Sequence, residues 1–511
     1  MKKIYTRFLS AAVVLSTLLS CNLELSPTDA VVYDEGSQII FTRTDLASFE
    51  AGVMSDYRAL HGGMYDAIED LMLDEFNATV NFGNNYGGVH RTDDSFTSSD
   101  SYIESYWVNH YLVMKDYNVL IDALVGDPES EEPNPNIPAG TEQLANVVLG
   151  ECYFVRAEAY LNLVRRFAKD YDPSDTESLG VPLVLHYSLT DLPKRSTVHE
   201  VYAQIKNDLD SAAVHLAGVA GEVGAQYPTI DAVNALYARY YLDIEDFDNA
   251  IAKAQEVIGT GKYALSKSAT EMEAEFSNDA GTEAIMQMFG SLDETPNSLG
   301  VYTSMVESPE YGTCFRSMFL PTKKLVDAYG ASDLRRSWFS TTDYYTDVNG
   351  TYYRGNFATF VKFIGNKTFY TSDTPNAMNM AKPYKIGEMY LIKAEAQSRN
   401  GDIPGAKATL KILQDARKGT VTSGSMASVR DEWFRETPGE GFRLSCLKRW
   451  GEGFEAREGQ TGALNVNALM TGASYTEKSM AADDYHLVWP IPAGEIRLNP
   501  NLEQNPVYGR Q

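Results

Sequence analysis

Two segments of the chain have the pattern of short helix pairs joined by a tight polar turn. The segment 231–258 breaks at "IEDFDN", and the segment 388–410 breaks at "RNGDIP". In each segment two alanines lie twelve residues apart, one in each arm: Ala238 with Ala250, and Ala394 with Ala406. Two helices approach closely only where the side chains at their crossing are small, so this spacing predicts helical hairpins. Each helix is too short to be stable alone and must pack against others.

Both hairpins resemble the helix pairs of the tetratricopeptide repeat. In the later pair, within residues 384–417, the bulkier apolar residues Ile403, Leu410 and Leu413 flank the crossing. Such a pair leaves an apolar face that neighbouring pairs must cover, although long inserts separate the pairs here. We therefore predict a mainly α fold, a tetratricopeptide-like array of helix pairs stacked with a right-handed twist. The predicted fold also has long irregular inserts on one side and an irregular C-terminal part.

Four further segments have helical patterns: residues 44–59, Ser101–Val125, Thr141–Ala168 and Thr197–Leu216. Thr141 is placed to be an N-cap, and Thr197 with Glu200 has the spacing of a capping box. The stretch "DIEDFDNA" lacks the glycine and the final glutamate of an EF-hand loop. We interpret it as the polar turn of a helix pair rather than as a calcium site.

Residues 1–20 have the layout of a secretory signal peptide, with a basic start and an apolar stretch too short to span a bilayer. The segment ends in "LLSC", which resembles a bacterial lipobox and predicts that Cys21 is lipidated. The alternative is an ordinary signal peptide with a chance cysteine. Residues 21–40 are then a lipidated tether and residues 41–511 a single body. No later stretch reaches the roughly eighteen apolar residues that a membrane span needs.

Composition limits the partners and the redox chemistry. The formal net charge of -27 argues against nucleic acid, because a phosphate backbone would repel the chain. Cys152, Cys314 and Cys446 are far apart and lack CxxC spacing, so we expect no disulfide framework and no metal site. Tyrosine is abundant, with 32 residues against 21 phenylalanines. This excess fits either phenols at the edge of a large core or a surface that stacks on a flat ligand.

The sequence contains no motif of a common catalytic class. It has no HExxH, no GxSxG and no phosphate-binding GxxxxGK[ST] segment. The seven histidines are scattered, and we expect neither catalytic residues nor a cofactor. Carboxylates are plentiful, however, and two of them can form a glycosidase pair. A glycan hydrolase on a helical scaffold therefore remains an alternative.

Motifs in a fixed order resemble those of one known family. They are "IGEMYLIKAEAQSRNGD" at 386–402 and, within 430–511, "GEGFRLSCLKRWG" at 439–451, "WPIPAGEI" at 489–496 and "NPNLEQNPVY" at 499–508. With "GECYFVRAEAYLNLVRRFAKDY" at 150–171 and the lipobox, they closely resemble the SusD/RagB family of outer-membrane lipoproteins. The chain departs from the family pattern at Ser445 and Cys446, where an acidic residue is common. It also departs in "VRDEWFRETP", where Pro438 is expected to shorten a helix.

We interpret the residues of these motifs as structural. The prolines of "WPIP" restrict the backbone, and Trp489 is expected to pack on the helical array. Arg443 and Arg449 are expected to pair with acidic groups such as Glu388, which would tie the C-terminal part to the last helix pair. Ligand contact by these two arginines is the alternative.

The resemblance implies a role in nutrient capture. Proteins of this family are lids over a SusC-like TonB-dependent outer-membrane transporter. They bind an oligosaccharide or, in the RagB branch, a peptide, and pass it inward. The protein is accordingly expected at the outer membrane, held by its N-terminal acyl anchor in the lipid and facing the cell exterior.

Three inserts are long and rich in aromatic residues: the first insert at 76–100, the second at 291–318 and the third at 340–370. A sugar ring offers an apolar face to an aromatic side chain and hydroxyls to polar groups. We choose the candidate ligand-binding residues by their position in an insert and by this chemistry, and not by a family motif. They are Phe82, Asn84, Asn85, Tyr86 and Arg91 of the first insert and Tyr302 and Tyr311 of the second.

Overall fold

The computed structural model describes residues 38–127, 129–130, 132–340, 345–354, 358–461 and 467–508. The predicted signal peptide, the lipidation site Cys21 and most of the predicted tether lie outside these residues. Within them, one large hydrophobic core includes side chains from Ile39 to Tyr508. The free thiols of Cys152, Cys314 and Cys446 are buried.

Helices make up most of the regular structure, which confirms the predicted mainly α fold. In chain order these helices are α1 (Arg43–Ala59), α2 (Met64–Met72), α3 (Gly87–Arg91), α4 (Ser101–Val125), α5 (Glu142–Phe167), α6 (Val198–His215), α7 (Ile230–Asp243), α8 (Phe247–Gly259), α9 (Ala269–Phe276), α10 (Gly300–Thr303), α11 (Lys323–Asp327), α12 (Ile386–Arg399), α13 (Ile403–Ala416), α14 (Met426–Glu436), α15 (Arg443–Trp450) and α16 (Ala493–Leu498). None of the described helices is apolar over a length that would cross a membrane.

The four helices predicted outside the hairpins are present as α1, α4, α5 and α6. Thr197 forms the predicted capping box at the start of α6. Its hydroxyl accepts from the Glu200 N–H at 3.2 Å, and the Glu200 carboxylate accepts from the Thr197 N–H at 2.7 Å. Thr141 occupies the predicted N-cap position of α5, but its side chain makes no capping bond. Its hydroxyl donates to the Pro138 carbonyl at 2.5 Å instead.

The two predicted hairpins, α7–α8 and α12–α13, pack on each other although long inserts separate them in the chain. Helix α12 contacts both α8 and α13. The alanines expected at the crossings are fully buried: Ala238, Ala250, Ala394 and Ala406. Leu410 and Leu413 are buried as well, but Ile403 is 42% exposed. The prediction that Ile403 packs beside the crossing is wrong. Ile403 is the first residue of α13 and lies at the turn between the two helices.

The inserts contain short strands and are therefore less irregular than expected. In chain order the strands are β1 (Phe76–Ala78), β2 (Ala284–Met286), β3 (Met305–Ser308), β4 (Gly312–Phe315), β5 (Phe319–Pro321), β6 (Phe339–Ser340), β7 (Tyr345–Val348), β8 (Thr351–Arg354), β9 (Thr359–Phe360) and β10 (Tyr384–Lys385). Three antiparallel pairs form, β1 with β5, β2 with β10 and β6 with β9. A four-stranded sheet has the order β3–β4–β7–β8, in which β4 and β7 are parallel.

Trp489 has the structural role predicted for it. Its ring is fully buried and meets the rings of Tyr106 and Phe167 edge to face, with centroids 5.4 and 5.6 Å away. The backbone N–H of Trp489 donates to the carbonyl of Arg166, near the end of α5, at 2.7 Å. The "WPIP" segment is thereby fixed to α4 and α5. Helix α14 ends shortly before Pro438, as predicted.

Two carboxylates of α12 bind arginines of different elements. Arg449 of α15 bonds both carboxylate oxygens of Glu395 at 2.8 and 2.9 Å, which ties α15 to the last helix pair as predicted. Glu388, however, bonds Arg239 of α7 at 2.7 Å. Glu388 and Glu395 are two helical turns apart on the same face of α12, so a different neighbour reaches each. The prediction of Glu388 as the partner is therefore wrong.

Other buried arginines join segments that are far apart in the chain. Arg443 bonds both carboxylate oxygens of Asp74, which follows α2, at 2.7 and 2.8 Å. Arg417 follows α13, is fully buried and bonds both oxygens of Glu283 at 2.7 Å. It also pairs with Glu436 of α14 at 2.5 Å. Because a buried charge is tolerated only beside such partners, each arginine fixes the segment that carries it.

The carboxyl group of Glu432 in α14 lies between two arginines. It accepts from Arg335 and from Arg435, each at 2.7 Å. Burial alone would raise the pKa of Glu432, but the two guanidinium groups outweigh burial and lower that pKa to about 2. The ammonium groups of Lys362 and Lys385 likewise outweigh burial at Glu440 and lower its pKa to about 2.

We expect Arg417→Met to lower the free energy of unfolding by roughly 3–5 kcal/mol, because it leaves the buried charge of Glu283 without a cation and that of Glu436 with Arg335 alone. Urea unfolding followed by circular dichroism measures the loss. Lys411→Met is the control, since it removes an exposed ion pair with Asp415 and is expected to cost at most about 1 kcal/mol. Equal losses in the two variants would contradict the role assigned to Arg417.

Acidification is expected to destabilise the fold between about pH 4.5 and pH 2. The pKa values of Glu432 and Glu440 are lower in the folded protein than in the unfolded chain, so unfolding takes up protons and becomes easier as the pH falls. Glu432→Gln should reduce the slope of the unfolding free energy in this range by up to about 1.4 kcal/mol per pH unit, the value of one proton. Denaturant titrations at a series of pH values give this slope. An unchanged slope in the variant would contradict the assignment.

Candidate functional site

The β3–β4–β7–β8 sheet of the second and third inserts has two defined hairpin turns. Asn349 and Gly350 form the β7–β8 turn, with φ angles of 49° and 84°. Positive φ at both positions is the geometry of a type I′ turn, which favours Asn-Gly. In the β3–β4 turn, the Ser308 hydroxyl accepts from the N–H groups of Glu310 and Tyr311 at 3.3 and 3.2 Å. Each turn fixes the register of its hairpin.

Tyr311 and Tyr352 meet on one face of this sheet. Their ring centroids are 5.0 Å apart with planes at 37°, and both side chains are partly exposed. Neighbouring residues of a strand point to opposite faces, so Tyr352 and Tyr353 do so on β8. Tyr353 packs on a small hydrophobic cluster of Leu320, Val348, Ala468 and Leu469. Tyr352 is therefore on the outer face with Tyr311, and we name this pair the tyrosine platform.

The first insert is anchored beside the β7–β8 turn. The Asn81 amide donates to the Asp347 carbonyl at 2.8 Å, and its oxygen accepts from the Asn349 N–H at 3.3 Å. The Asp347 carboxylate is buried and accepts from Arg316 Nε at 2.7 Å. The side chain of Arg316 is itself 45% exposed. These bonds bring the first insert next to the sheet that carries the tyrosine platform.

Three predicted site residues, Asn84, Asn85 and Arg91, lie on the first insert, and we name them the polar rim. Arg91 donates to the Asn84 side-chain oxygen at 2.8 Å and to the Ser95 hydroxyl at 3.0 Å. Asn84 is exposed, whereas Asn85 is partly buried and its amide donates to the Phe82 carbonyl at 2.7 Å. The structure thus brings Asn84 and Arg91 together as a pair of polar groups at the surface.

The other three predicted aromatic residues are buried. Phe82, Tyr86 and Tyr302 are 5%, 7% and 1% exposed. Tyr86 stacks on Tyr102 at a centroid distance of 3.9 Å, and Tyr302 packs against Phe76 in the main core at 4.4 Å. In this structure these rings hold the inserts in place, and Tyr302 is not part of the tyrosine platform. Ligand contact by the three stays a prediction.

The sheet edge beside the tyrosine platform is acidic. Glu307 and Glu310 are exposed on β3 and its turn. Glu307 accepts from the hydroxyls of Thr313 and Thr374 at 2.6 and 2.7 Å, and these two bonds lower its pKa. Because Asp347 neutralises Arg316, this surface favours an uncharged ligand over a polyanion. It offers aromatic rings for stacking and polar groups for hydrogen bonds.

Reasoning from the sequence missed Tyr352 as the partner of Tyr311, and it missed Asn81 and Arg316. The signal for Tyr352 is the Asn-Gly pair at 349–350 between "YTDV" and "TYYR", a strong hairpin pattern that places Tyr352 on a strand. No comparable signal pairs the two hairpins with each other. Their contact is the parallel β4–β7 pairing, which joins different inserts.

Two family models match most of the chain. A model described as "Starch-binding associating with outer membrane" matches residues 42–242, and the model of the SusD family matches residues 272–508. The first match covers the N-terminal helices, and the second covers most of the inserts and the C-terminal motifs. A comparison with curated proteins gives no match.

Several solved structures share the fold over nearly their whole length. A SusD superfamily protein from Bacteroides thetaiotaomicron VPI-5482 is 24% identical, with a TM-score of 0.71 over 90% of this chain and 99% of its own. A SusD-like carbohydrate binding protein from Bacteroides vulgatus ATCC 8482 is 17% identical, with a TM-score of 0.69 over 90% and 97%. A laminarin binding SusD-like protein is 20% identical, with a TM-score of 0.68 over 91% and 100%. With this shared fold and the two family matches, the chain belongs to the SusD/RagB family.

Proposed function

We propose that this protein binds an uncharged oligosaccharide or polysaccharide at the cell surface and passes it to a partner TonB-dependent outer-membrane transporter. The tyrosine platform, on a sheet to which Asn81 joins the first insert, is the observation that carries the proposal. A sugar ring can stack its apolar face on Tyr311 and Tyr352 while its hydroxyls form hydrogen bonds with amide and guanidinium groups. Binding and release of this kind break no covalent bond, so we propose a role without catalysis.

The descriptions of similar proteins support a saccharide ligand. One matching family model is described as starch-binding, and one similar structure is described as laminarin binding. Within the proposed site, Tyr311 and Tyr352 stack on the ligand, and Asn84, Asn85 and Arg91 bond its hydroxyls. A peptide is the other ligand class expected of the family, and it forms a separate arm of the test below.

Contacts at the end of the predicted tether support an orientation at the membrane. The Gln38 side chain donates to the Pro135 carbonyl at 2.7 Å, and Asn136 accepts from the N–H of Ile39 at the same distance. The predicted tether is therefore joined to the body beside residues 135–136. We propose that this side faces the outer membrane and the transporter.

We expect Tyr311→Ala and Tyr352→Ala each to weaken glycan binding roughly five- to tenfold, because a stacked ring contributes about 1–1.4 kcal/mol. Native electrophoresis in gels that each contain one polysaccharide of a panel measures the retardation. Tyr227→Ala is the matched control, since Tyr227 is 38% exposed and lies before α7, outside the site. Its retardation is expected to equal that of the wild type.

Three results of the same study would point to a different ligand, a different site or a different function. The absence of retardation on every glycan, with peptides found by mass spectrometry in the purified native protein, would support the peptide ligand. Equal retardation of the tyrosine variants and the wild type would place the glycan elsewhere. Release of reducing sugar from a glycan, abolished by replacing one carboxylate, would support the hydrolase alternative.

We expect Cys21→Ser to move the protein from the outer-membrane fraction to the soluble fraction, because the acyl chains that hold it would be missing. Cell fractionation and labelling with a radioactive fatty acid measure this change. Ser20→Ala is the control, since it keeps a small residue before the cysteine. Membrane attachment of both variants would contradict lipidation at Cys21. Co-purification of the transporter with the wild type tests the proposed partner.

A further inference from the structure

Four acidic residues lie within seven positions at the end of α2 and just before the first insert. Each is at most 1% exposed: Glu69, Asp70, Asp74 and Glu75. Two of the four have a cation beside them. Glu69 pairs with Arg166, and Asp74 pairs with Arg443 at 2.7 Å and with Lys324 at 2.8 Å. These partners compensate the buried charges of Glu69 and Asp74.

The other two, Asp70 and Glu75, have no cation of their own. Among the described residues, neither carboxyl group lies within 4.0 Å of a lysine or arginine nitrogen. Arg443 and Lys362 act on Glu75 from farther away, and each is already bonded to another carboxylate. Two ionised groups at these positions would therefore be buried charges without compensation.

The carboxyl groups of Asp70 and Glu75 are hydrogen-bonding neighbours. Asp70 Oδ1 and Glu75 Oε2 are both out of reach of water, and neither finds a lysine, arginine, hydroxyl or amide donor among the described residues. An ionised carboxylate only accepts, so two ionised groups would leave both oxygens without a partner. A proton between them gives each oxygen a partner, because the protonated group donates to the other. The contact itself thus indicates a shared proton.

The electrostatic surroundings favour the same state. Burial raises the pKa of both groups, and the charge of Glu75 adds to this effect at Asp70. Arg443 and Lys362 lower the pKa of Glu75 by less than burial raises it, so it stays raised, at about 8. The charged and titratable groups around the pair come from several elements: Asp66 and Glu69 of α2, Asp74 after α2, Tyr302 of α10, Lys324 of α11, Tyr329 after α11, Lys362 after β9 and Arg443 of α15.

The pair lies where three segments of the chain meet. Asp70 accepts from the N–H of Gly441, in the segment before α15, at 3.2 Å. The Glu75 carbonyl accepts from the Thr322 N–H, directly after β5, at 2.9 Å. The next residue, Phe76, begins β1 and with it the first insert. Two like charges facing each other here would push this junction apart, and the proton prevents that repulsion.

We propose that Asp70 and Glu75 share a proton that holds the first insert on the helical body, so that this attachment loosens as the pH rises. The closed junction keeps the proton, whereas in the open junction water reaches both carboxyl groups and they ionise as in an unfolded chain. Opening therefore releases a proton, and its equilibrium constant rises about tenfold per pH unit between about pH 4.5 and about pH 8. This inference does not depend on the proposed ligand.

Hydrogen–deuterium exchange of peptides from residues 70–78, measured at pH 6, 7 and 8, tests this proposal. After correction for the intrinsic exchange rate, the wild type is expected to open about tenfold more per pH unit. The double variant Asp70→Asn/Glu75→Gln has no titrating pair, and its two amides can bond each other, so its opening should not change with pH. Glu455→Gln is the control, since Glu455 is exposed, and it should keep the wild-type dependence. Equal dependence in the wild type and the double variant would overturn the proposal.

The wild type also contains an internal reference, which serves if the double variant does not fold. Peptides of α7 contain the buried carboxylates of Asp231 and Asp243, which pair with Lys262 at 2.8 Å and with Arg165 at 2.7 Å. Opening of α7 is therefore expected to lack the tenfold rise per pH unit. A rise confined to residues 70–78 supports the shared proton. The same rise in both regions, or in neither, would contradict it.

Discussion

Buried ion pairs between distant segments determine how the inserts of this protein sit on its helices. The helix pairs can bury their apolar faces on one another, but that packing alone does not position a long insert. Arg417 reaches from the end of α13 to Glu283, beside β2, and Arg443 reaches from α15 to Asp74, beside β1. An arginine in the core without its carboxylate would cost several kcal/mol. The pairs therefore favour one placement of the inserts over any other.

An ion pair also holds the candidate binding surface together. Arg316 and Asp347 pair beneath the β7–β8 turn, and the Asp347 carbonyl then binds Asn81 of the first insert. The two platform tyrosines consequently lie on or beside paired strands rather than on free loops. A surface that is formed before the ligand arrives loses less conformational entropy on binding. The ion pair thus connects the stability of the inserts with the proposed affinity for a sugar.

The helices were predictable from the sequence because their signals are local. The alanine spacing, the capping box at Thr197 and the polar turns all act within a few residues of where they occur. The partner of Arg449 was not predictable in the same way, since Glu388 and Glu395 lie on one face of α12 and the choice depends on tertiary packing. Tyr302 and Tyr311 belong to the same insert, yet one lies in the core and the other at the surface.

Several of the tyrosines donate hydrogen bonds to carboxylates. The chain has 70 acidic residues against 43 Lys and Arg, so acceptors of this kind are plentiful. Glu158 accepts from Tyr57 and from Tyr384. Asp231 accepts from Tyr263 at 2.9 Å as well as from Lys262 at 2.8 Å. A tyrosine can be buried by its ring and still satisfy a carboxylate through its hydroxyl. Tyrosine content alone therefore does not indicate a binding site, and the informative tyrosines are those whose rings reach the surface, as Tyr311 and Tyr352 do.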